Sequence, residues 1–478
     1  MNYKTIFYTL GMVIGLEGLA MLCPLICGII YLENEWYTFL ICTIICVILS
    51  VILTFKKPDR KNIFAKEGFV IVSLSWIVMS IIGSLPFILS GAIKGFIPAL
   101  FEIVSGFTTT GASVLKEVEP LPKCILFWRS FSHWIGGMGV LVLLVAVLPL
   151  SGGSNLHLLK AESTGPSVSK LVPRVKSSTT ILYLIYIAMT VIESILLLIC
   201  GLNLFEALTL TFGTAGTGGF GILNSSIASY SPQVQWIITI FMILFGIDFT
   251  VYYFLIMRKF KAAIRSDEVR AYIGIILASI ILITLNCYNL FDNIFDALRH
   301  ISFQVGSLIT TTGYSTVDYN VWPEFSKMIL IFLMFAGACA GSTGGGVKVS
   351  RILILLKSVV KEIKVCAHPK STHKSMLNGR AINHETVRAV NVFMVSYISI
   401  FLISLILISI DNLDFTTNAT AVLATLNNIG PGLNIVGPAG NYSDYSNFSL
   451  LVLIFDMLAG RLEIFPMLIL FSKYTWKK

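Results

Sequence analysis

Four times along the chain, an apolar stretch long enough to cross a membrane is followed by a short half-polar segment, a glycine-centred turn and a second apolar stretch. The turns are Thr108-Thr109-Thr110-Gly111, Ala215-Gly216-Thr217-Gly218-Gly219-Phe220, Thr310-Thr311-Thr312-Gly313-Tyr314 and Asn427-Asn428-Ile429-Gly430-Pro431-Gly432. One glycine turn between helices is only a turn. Four in register, each flanked by apolar spans, constrain the whole architecture. Glycine lets the backbone adopt dihedrals closed to other residues. Four such turns about one axis make a ring of carbonyl oxygens, which can stand in for the water around a cation.

Composition supplies the surroundings. Hydrophobic residues are 56% of the chain, charged residues 12%, and the mean hydropathy is +0.85, more apolar than a soluble protein of 478 residues requires. Apolar runs at about 8–31, 36–55, 68–91, 122–150, 178–201, 232–257, 270–290, 323–357, 386–411 and 446–472 predict ten spans. The first is too long for a cleavable signal peptide and has no small-residue cleavage site after it. Lys4, the clusters Lys56–Lys66, Lys160–Lys176, Arg258–Arg270 and Lys348–Arg388, and the tail Lys473, Lys477 and Lys478 hold 27 of the 34 basic residues. All fall on one side if both termini are cytoplasmic. The net charge of +9 is therefore sidedness and no nucleic-acid footprint, with anionic lipid headgroups or an acidic cytosolic partner as its counterpart.

The expected fold is an all-α polytopic membrane protein, with ten transmembrane helices plus four re-entrant pore helices in four pseudo-symmetric helix–pore loop–helix repeats. Its divisions are a two-helix preface over 1–55 and repeats over 56–150, 151–258, 259–360 and 361–478. The short segments cannot cross a bilayer, and non-helical backbone at that depth is tolerated only where it lines a protein-enclosed cavity. Phe101-Glu102, Phe205-Glu206 and Phe295-Asp296 place an acid where a helix begins, suiting the positive end of its dipole. The nine cysteines form no disulfide framework or metal set and read as small packing residues. Gly216-x-Gly218-x-x-Gly221 matches the dinucleotide fingerprint only formally, with no βαβ unit around it. The phosphate-loop likeness of Gly341–Lys348 fails because Val347 intervenes before Lys348. Without ATP-hydrolysing machinery the chain is no primary pump, and its few dispersed intramembrane charges do not make an enzyme.

The chain resembles the Trk/Ktr/HKT superfamily of potassium transporters, and most closely its TrkH-type pore-forming subunit. The resemblance spans nearly the full length. It rests on Ser105–Gly111, Phe127-Trp128-Arg129-Ser130, Trp134–Gly139, Thr310–Gly313, Gly341–Gly346, Asn427–Gly432 and Gly460-Arg461-Leu462-Glu463. It implies filter glycines Gly111, Gly218, Gly313 and Gly430. Ion sites would be built by Thr109, Thr110, Gly111, Gly216, Thr217, Gly218, Thr311, Thr312, Gly313, Asn428, Ile429 and Gly430. In plant relatives a serine at the first of these glycines accompanies sodium transport, so Gly111 favours potassium; a weakly selective or sodium-permeable pathway is the alternative. Gly216, where relatives often carry serine, implies a softer second strand. The resemblance further implies a bacterial inner-membrane homodimer working with a cytosolic nucleotide-binding RCK-type (TrkA-like) ring, docked on Arg258–Arg270 and Lys357–Lys374. The chain itself would bind potassium and no other cofactor.

Five glycines among residues 337–346 will not hold a helix, at about 1 kcal/mol each relative to alanine. In the family this stretch is an intramembrane gate loop, which assigns Gly337, Gly341, Ser342, Thr343, Gly344, Gly345 and Gly346 to the gate together with Arg461. A cation at membrane depth is functional by default, although Arg461 also reads as a salt-bridge partner of Glu463 or Asp456. Asp248 either lines an inner vestibule or is capped by neighbouring hydroxyls. Glu17 and Glu193 read as structural, and His133 reads as packing.

Overall fold

The short half-polar segments become helices because most of them begin on a side chain that holds their first free N–H groups. The computed structural model describes residues 1–57, 65–139, 175–369 and 374–476. At the head of Leu204–Gly216, Asn203 accepts from the Glu206 N–H at 2.9 Å while Glu206 reaches back to the Asn203 N–H, a reciprocal capping box. Asn293 and Asp414 accept from Asp296 N–H and Thr417 N–H at the heads of Ile294–Ile309 and Phe415–Leu426. The first of the four, Phe96–Phe107, starts after Gly95 with no side-chain cap.

The acid expected at helix starts is therefore there in the second and third helices, but Glu102 is not. It lies mid-helix, buried, and pairs with Arg129 at 2.8 Å. It also accepts from the Ser113 hydroxyl and the Val114 N–H, each at 3.0 Å, tying its helix to the chain just beyond the first turn.

Longer helices surround these four. Tyr3–Ile30, Trp36–Thr54, Lys66–Leu89, Thr180–Ile199, Asp267–Leu290 and His384–Asp411 are long and apolar enough to cross a bilayer. Leu19, Ile52, Ile281 and Ile406 on their outer faces are exposed, as a lipid-facing surface requires. The second half of the expected span 122–150 lies outside the described residues, as do Arg60, Lys61, Lys160, Lys170, Arg174, Lys477 and Lys478.

The helices that follow the four turns are short. Lys123–Gly137, Pro232–Phe245, Glu324–Ala336 and Asn447–Arg461 run for 15, 14, 13 and 15 residues. After its break the second bends by 91° into Phe249–Ile256. The third restarts at Val349–Ala367, and the fourth at Phe465–Phe471. The sequence reading placed an interruption only in the third and took 232–257 and 446–472 as single spans. Hydropathy does not register these breaks, because the freed backbone groups find partners inside the protein. Cys339 N–H donates to Gly246 carbonyl at 3.1 Å, and Phe249 N–H donates to Gly341 carbonyl at 3.1 Å. The fourth helix turns without glycine, on Glu463 (φ +59°) and Ile464 (φ +66°). Among the described residues, one two-stranded ladder, Met376–Leu377 with Arg380–Ala381, stands beside the helices.

Removing one partner of the Glu102–Arg129 pair leaves the other charge buried, which costs about 3–5 kcal/mol. Arg129→Met is therefore expected to lower the unfolding midpoint in detergent well below that of Glu102→Gln/Arg129→Met. Equal midpoints for single and double variants would show that the pair does not hold this corner.

Candidate functional site

The four turns share one backbone conformation. A residue at left-handed φ (Thr109 +54°, Thr217 +54°, Thr311 +58°, Asn428 +56°) is followed two positions on by a glycine at positive φ (Gly111 +80°, Gly219 +76°, Gly313 +84°, Gly430 +96°). The residue between them donates five positions back, from Thr110 to Ser105, Gly218 to Gly213, Thr312 to Ser307 and Ile429 to Ala424, each at 2.8 Å. These are helix-terminating bonds of Schellman type, and they fix the register. Gly218 stands with Thr110, Thr312 and Ile429, and the positive-φ glycine of the second turn is Gly219. The sequence reading took Gly218 for that position, because three glycines in four residues leave the register undetermined by pattern.

The turns meet in a ring. A β-carbon on Gly111 would run into the carbonyl oxygen of Gly218, and one on Gly219 into that of Thr312. One on Gly313 would meet the Ile429 carbonyl, and one on Gly430 the Thr110 carbonyl. The first turn leans on the second, the second on the third, the third on the fourth, and the fourth on the first. On one side all four glycines line a cavity of about 170 Å³ that Ser113 and Tyr442 also face. The four preceding helices end at the ring, bringing the partial negative charge of their C-termini to it.

The other side is covered by residues 337–348, between Ala336 and Val349. Gly345 N–H donates to the Thr311 hydroxyl at 2.6 Å, and Gly346 N–H to the Asn427 carbonyl at 3.0 Å, so the loop lies against the third and fourth turns. Arg461 donates to the Thr343 carbonyl at 2.9 Å and to the Gly136 and Gly137 carbonyls, the latter at 2.7 Å. One guanidinium thus joins the loop to the end of the first inner helix. Buried Lys348 donates to the Gly344 carbonyl within the loop. One carboxylate oxygen of Glu268 accepts from Ala340 N–H at 2.7 Å and Ser350 N–H at 3.0 Å, drawing the two limbs of the loop together.

A family model described as a cation transport protein, TrkH, matches residues 35–477. The chain is 35% identical to the Trk system potassium uptake protein TrkH of Salmonella typhimurium and 32% identical to TrkG of Escherichia coli. The first alignment covers all of both proteins, and the second 100% of this chain and 99% of TrkG. The crystal structure of the potassium transporter TrkH from Vibrio parahaemolyticus matches over the full length of both chains, with a TM-score of 0.90 at 31% identity.

The chain belongs to the TrkH family.

As a TrkH-family member it is a multi-pass membrane protein of a transport family and not of an enzyme family. Of the remaining charged residues singled out from sequence, Glu463 pairs with Arg351, and Asp456 accepts from the Ser404 hydroxyl at 2.7 Å. Asp248 caps helix Phe249–Ile256 through Thr250 N–H at 2.8 Å and touches Gly341. Glu17 and Glu193 are buried. Sequence reasoning missed Glu268 and Lys348. An acid two residues after a capping serine looks like any helix start, and Lys348 is hidden at the head of a basic run.

Arg461→Ala removes the donor that spans the loop and the first inner helix. Hydrogen exchange over Thr343–Gly346 is expected to rise about tenfold, in line with a lost local stabilisation, while the four ring helices keep their protection. Unchanged exchange over Thr343–Gly346 would mean that other bonds hold the loop.

Proposed function

We propose that the chain is the pore-forming subunit of a bacterial potassium uptake system, passing the ion inward across the cytoplasmic membrane. The observation that carries this reading is the closed ring of four glycine turns between a cavity and a covering loop. It occurs in a chain 35% identical over its whole length to a protein named for potassium uptake. Six long apolar helices and the four helices that follow the turns would make ten crossings, with the four helices that precede the turns re-entering from outside.

The backbone carbonyls of Thr109–Gly111, Gly216–Gly218, Thr311–Gly313 and Asn428–Gly430, now with Gly219, would take the place of the ion's hydration water. An inside-negative potential supplies the driving force, about 2.3 kcal/mol per monovalent ion for each 100 mV. Residues 337–346 lie in the path below the ring and act as the gate, with Arg461 as its tie. The protein works as a homodimer with a cytosolic nucleotide-binding ring docked on Arg258–Arg270 and Lys357–Lys374. A route from that surface to the gate is at hand. Asp267 accepts from Lys357 at 2.8 Å and from the Asn378 N–H of the small hairpin at 3.0 Å, and its neighbour Glu268 holds the loop. A weakly selective alkali-cation pathway is the second reading, favoured by the absence from turns two and four of the threonine pair found in turns one and three.

In proteoliposomes under an inside-negative potential, rubidium-86 uptake is expected to be suppressed by potassium and barely by sodium; equal suppression would select the weakly selective pathway. Gly219→Ala puts a methyl into the Thr312 carbonyl and strains a left-handed residue by about 1–2 kcal/mol, so it should abolish uptake. Gly221→Ala, whose added carbon meets only ordinary contacts from 3.4 Å outward, should keep it. Glu268→Ala frees both limbs of the loop and should raise flux without any partner by about tenfold, the loss of a charge-assisted bond of some 1.5 kcal/mol or more. Flux unchanged in that variant would remove Glu268 from the gate.

A further inference from the structure

The second turn lacks the side chains that brace the others. In turns one and three the threonines before and within the turn join hydroxyl to hydroxyl, Thr108 to Thr110 and Thr310 to Thr312, each at 2.8 Å. In turn four Asn427 donates to the Tyr397 hydroxyl at 2.7 Å, and Asn428 donates to the Thr110 hydroxyl at 3.0 Å. In turn two the positions that match Thr108 and Thr110 are Gly216 and Gly218, which have no side chain to brace with, and the one that matches Asn428 is Thr217, whose hydroxyl turns back onto the Gly216 carbonyl at 2.6 Å.

The space they leave is filled from another repeat. A β-carbon on Gly216 would collide with the backbone and Cβ of His133, and one on Gly218 with its ring. The imidazole is fully buried there. Phe220 N–H reaches His133 Nε2 at 3.2 Å, and since a backbone N–H can only donate, Nε2 is the acceptor. Nδ1 then carries the hydrogen and donates to the Gly106 carbonyl at 2.7 Å. The ring is neutral, in one tautomer, and bridges the last turn of the first pore helix to the strand leaving turn two. Phe220 is held between two groups on the same helix face. His133 lies 4.3 Å from its ring centre and the Arg129 guanidinium 4.1 Å from it, while Arg129 also donates to the Gly221 carbonyl at 3.3 Å. The apparent softness of turn two is thus offset by a brace supplied in trans by repeat one.

We propose that His133 is a positioning residue for ion discrimination: its donor–acceptor pair fixes the Gly218–Phe220 backbone, and so sets the second quarter of the ring. The inference rests on the ring being the selectivity filter. His133 contacts no ion. It acts through Gly106, Gly218 and Phe220.

The test measures the potassium-over-sodium preference in competed rubidium-86 uptake by proteoliposomes of the full-length protein. His133→Phe keeps the bulk and loses both bonds; the preference should fall about tenfold, as for the loss of one to two hydrogen bonds. His133→Gln offers one donor and one acceptor and should recover most of it. Gly218→Ala pushes on the imidazole and should lower the preference by itself. Gly218→Ala combined with His133→Ala, which removes the ring that the methyl meets, should be no worse than His133→Ala alone, the non-additivity expected of residues that act as a unit. A phenylalanine variant as selective as the parent, or full additivity in the double variant, overturns the proposal. A parent protein without preference would instead overturn the filter reading, and the two failures are told apart by that control. Should His133→Phe not yield folded protein, Gly218→Ala against His133→Gln/Gly218→Ala carries the same comparison. Independent effects there overturn the coupling.

Discussion

Backbone carbonyls held in place without water are the constraint on which the rest of this structure depends. Inside a bilayer each polar backbone group must find a partner within the protein, and an unsatisfied one costs several kcal/mol. On the proposed reading, a ring that takes ions also needs carbonyls left free for the passing cation. The chain meets both demands by separating them. The N–H groups of each turn are bonded back into the preceding helix, five residues away at 2.8 Å in all four turns. Glycine at the meeting points lets each turn close against the carbonyl of the next, a contact that any β-carbon would forbid.

The same accounting explains how the helices that follow the turns end. A break strands carbonyls that a continuous helix would have used. Those of Gly136 and Gly137 are taken by Arg461, that of Phe245 by the Thr343 hydroxyl, and that of Gly246 by Cys339 N–H. The loop of the third repeat thus both lies against the ring and supplies partners for its neighbours' ends. The repeats share a backbone and differ in how side chains brace it: by paired threonines, by an imidazole from next door, or by asparagines bonded to Tyr397 and Thr110.

Much of this was legible in the sequence, and the limits have physical causes. The four turns, the spans around them and the glycine run of 337–346 could be read because glycine clusters and apolar runs report backbone demands directly. The register of turn two could not. In Gly216-Thr217-Gly218-Gly219 any of three glycines could take the left-handed position, and only the bond from Gly218 N–H to Gly213 decides. The bend after Phe245 rests on partners more than 90 residues away, and that after Arg461 on a strained Ile464, so neither leaves a local pattern. Glu102 looked like a helix-start acid because its local phrase matches the others. Its partner Arg129 sits 27 residues on, at a distance that no local reading connects.

On the gating reading, the strength of the loop's attachments sets what a regulator has to do. Moving a two-state loop from one part in a hundred open to one part in a hundred closed takes about 5.5 kcal/mol of differential binding. Hydrogen bonds to charged groups contribute about 1.5–3 kcal/mol each. The bonds of Arg461 to Thr343, Gly136 and Gly137, and of Glu268 to Ala340 and Ser350, together exceed that figure. The contacts of Gly345 and Gly346 with the turns add neutral bonds of lesser strength. A partner need not dismantle the loop. It has only to offset the two or three charge-assisted bonds made by one arginine or one glutamate, and Glu268 is the one next to Asp267 and the hairpin it holds. Asp267, its neighbour, is already engaged by Lys357 and the hairpin amide of Asn378. A displacement of that hairpin would therefore act on the helix end that carries the loop's carboxylate.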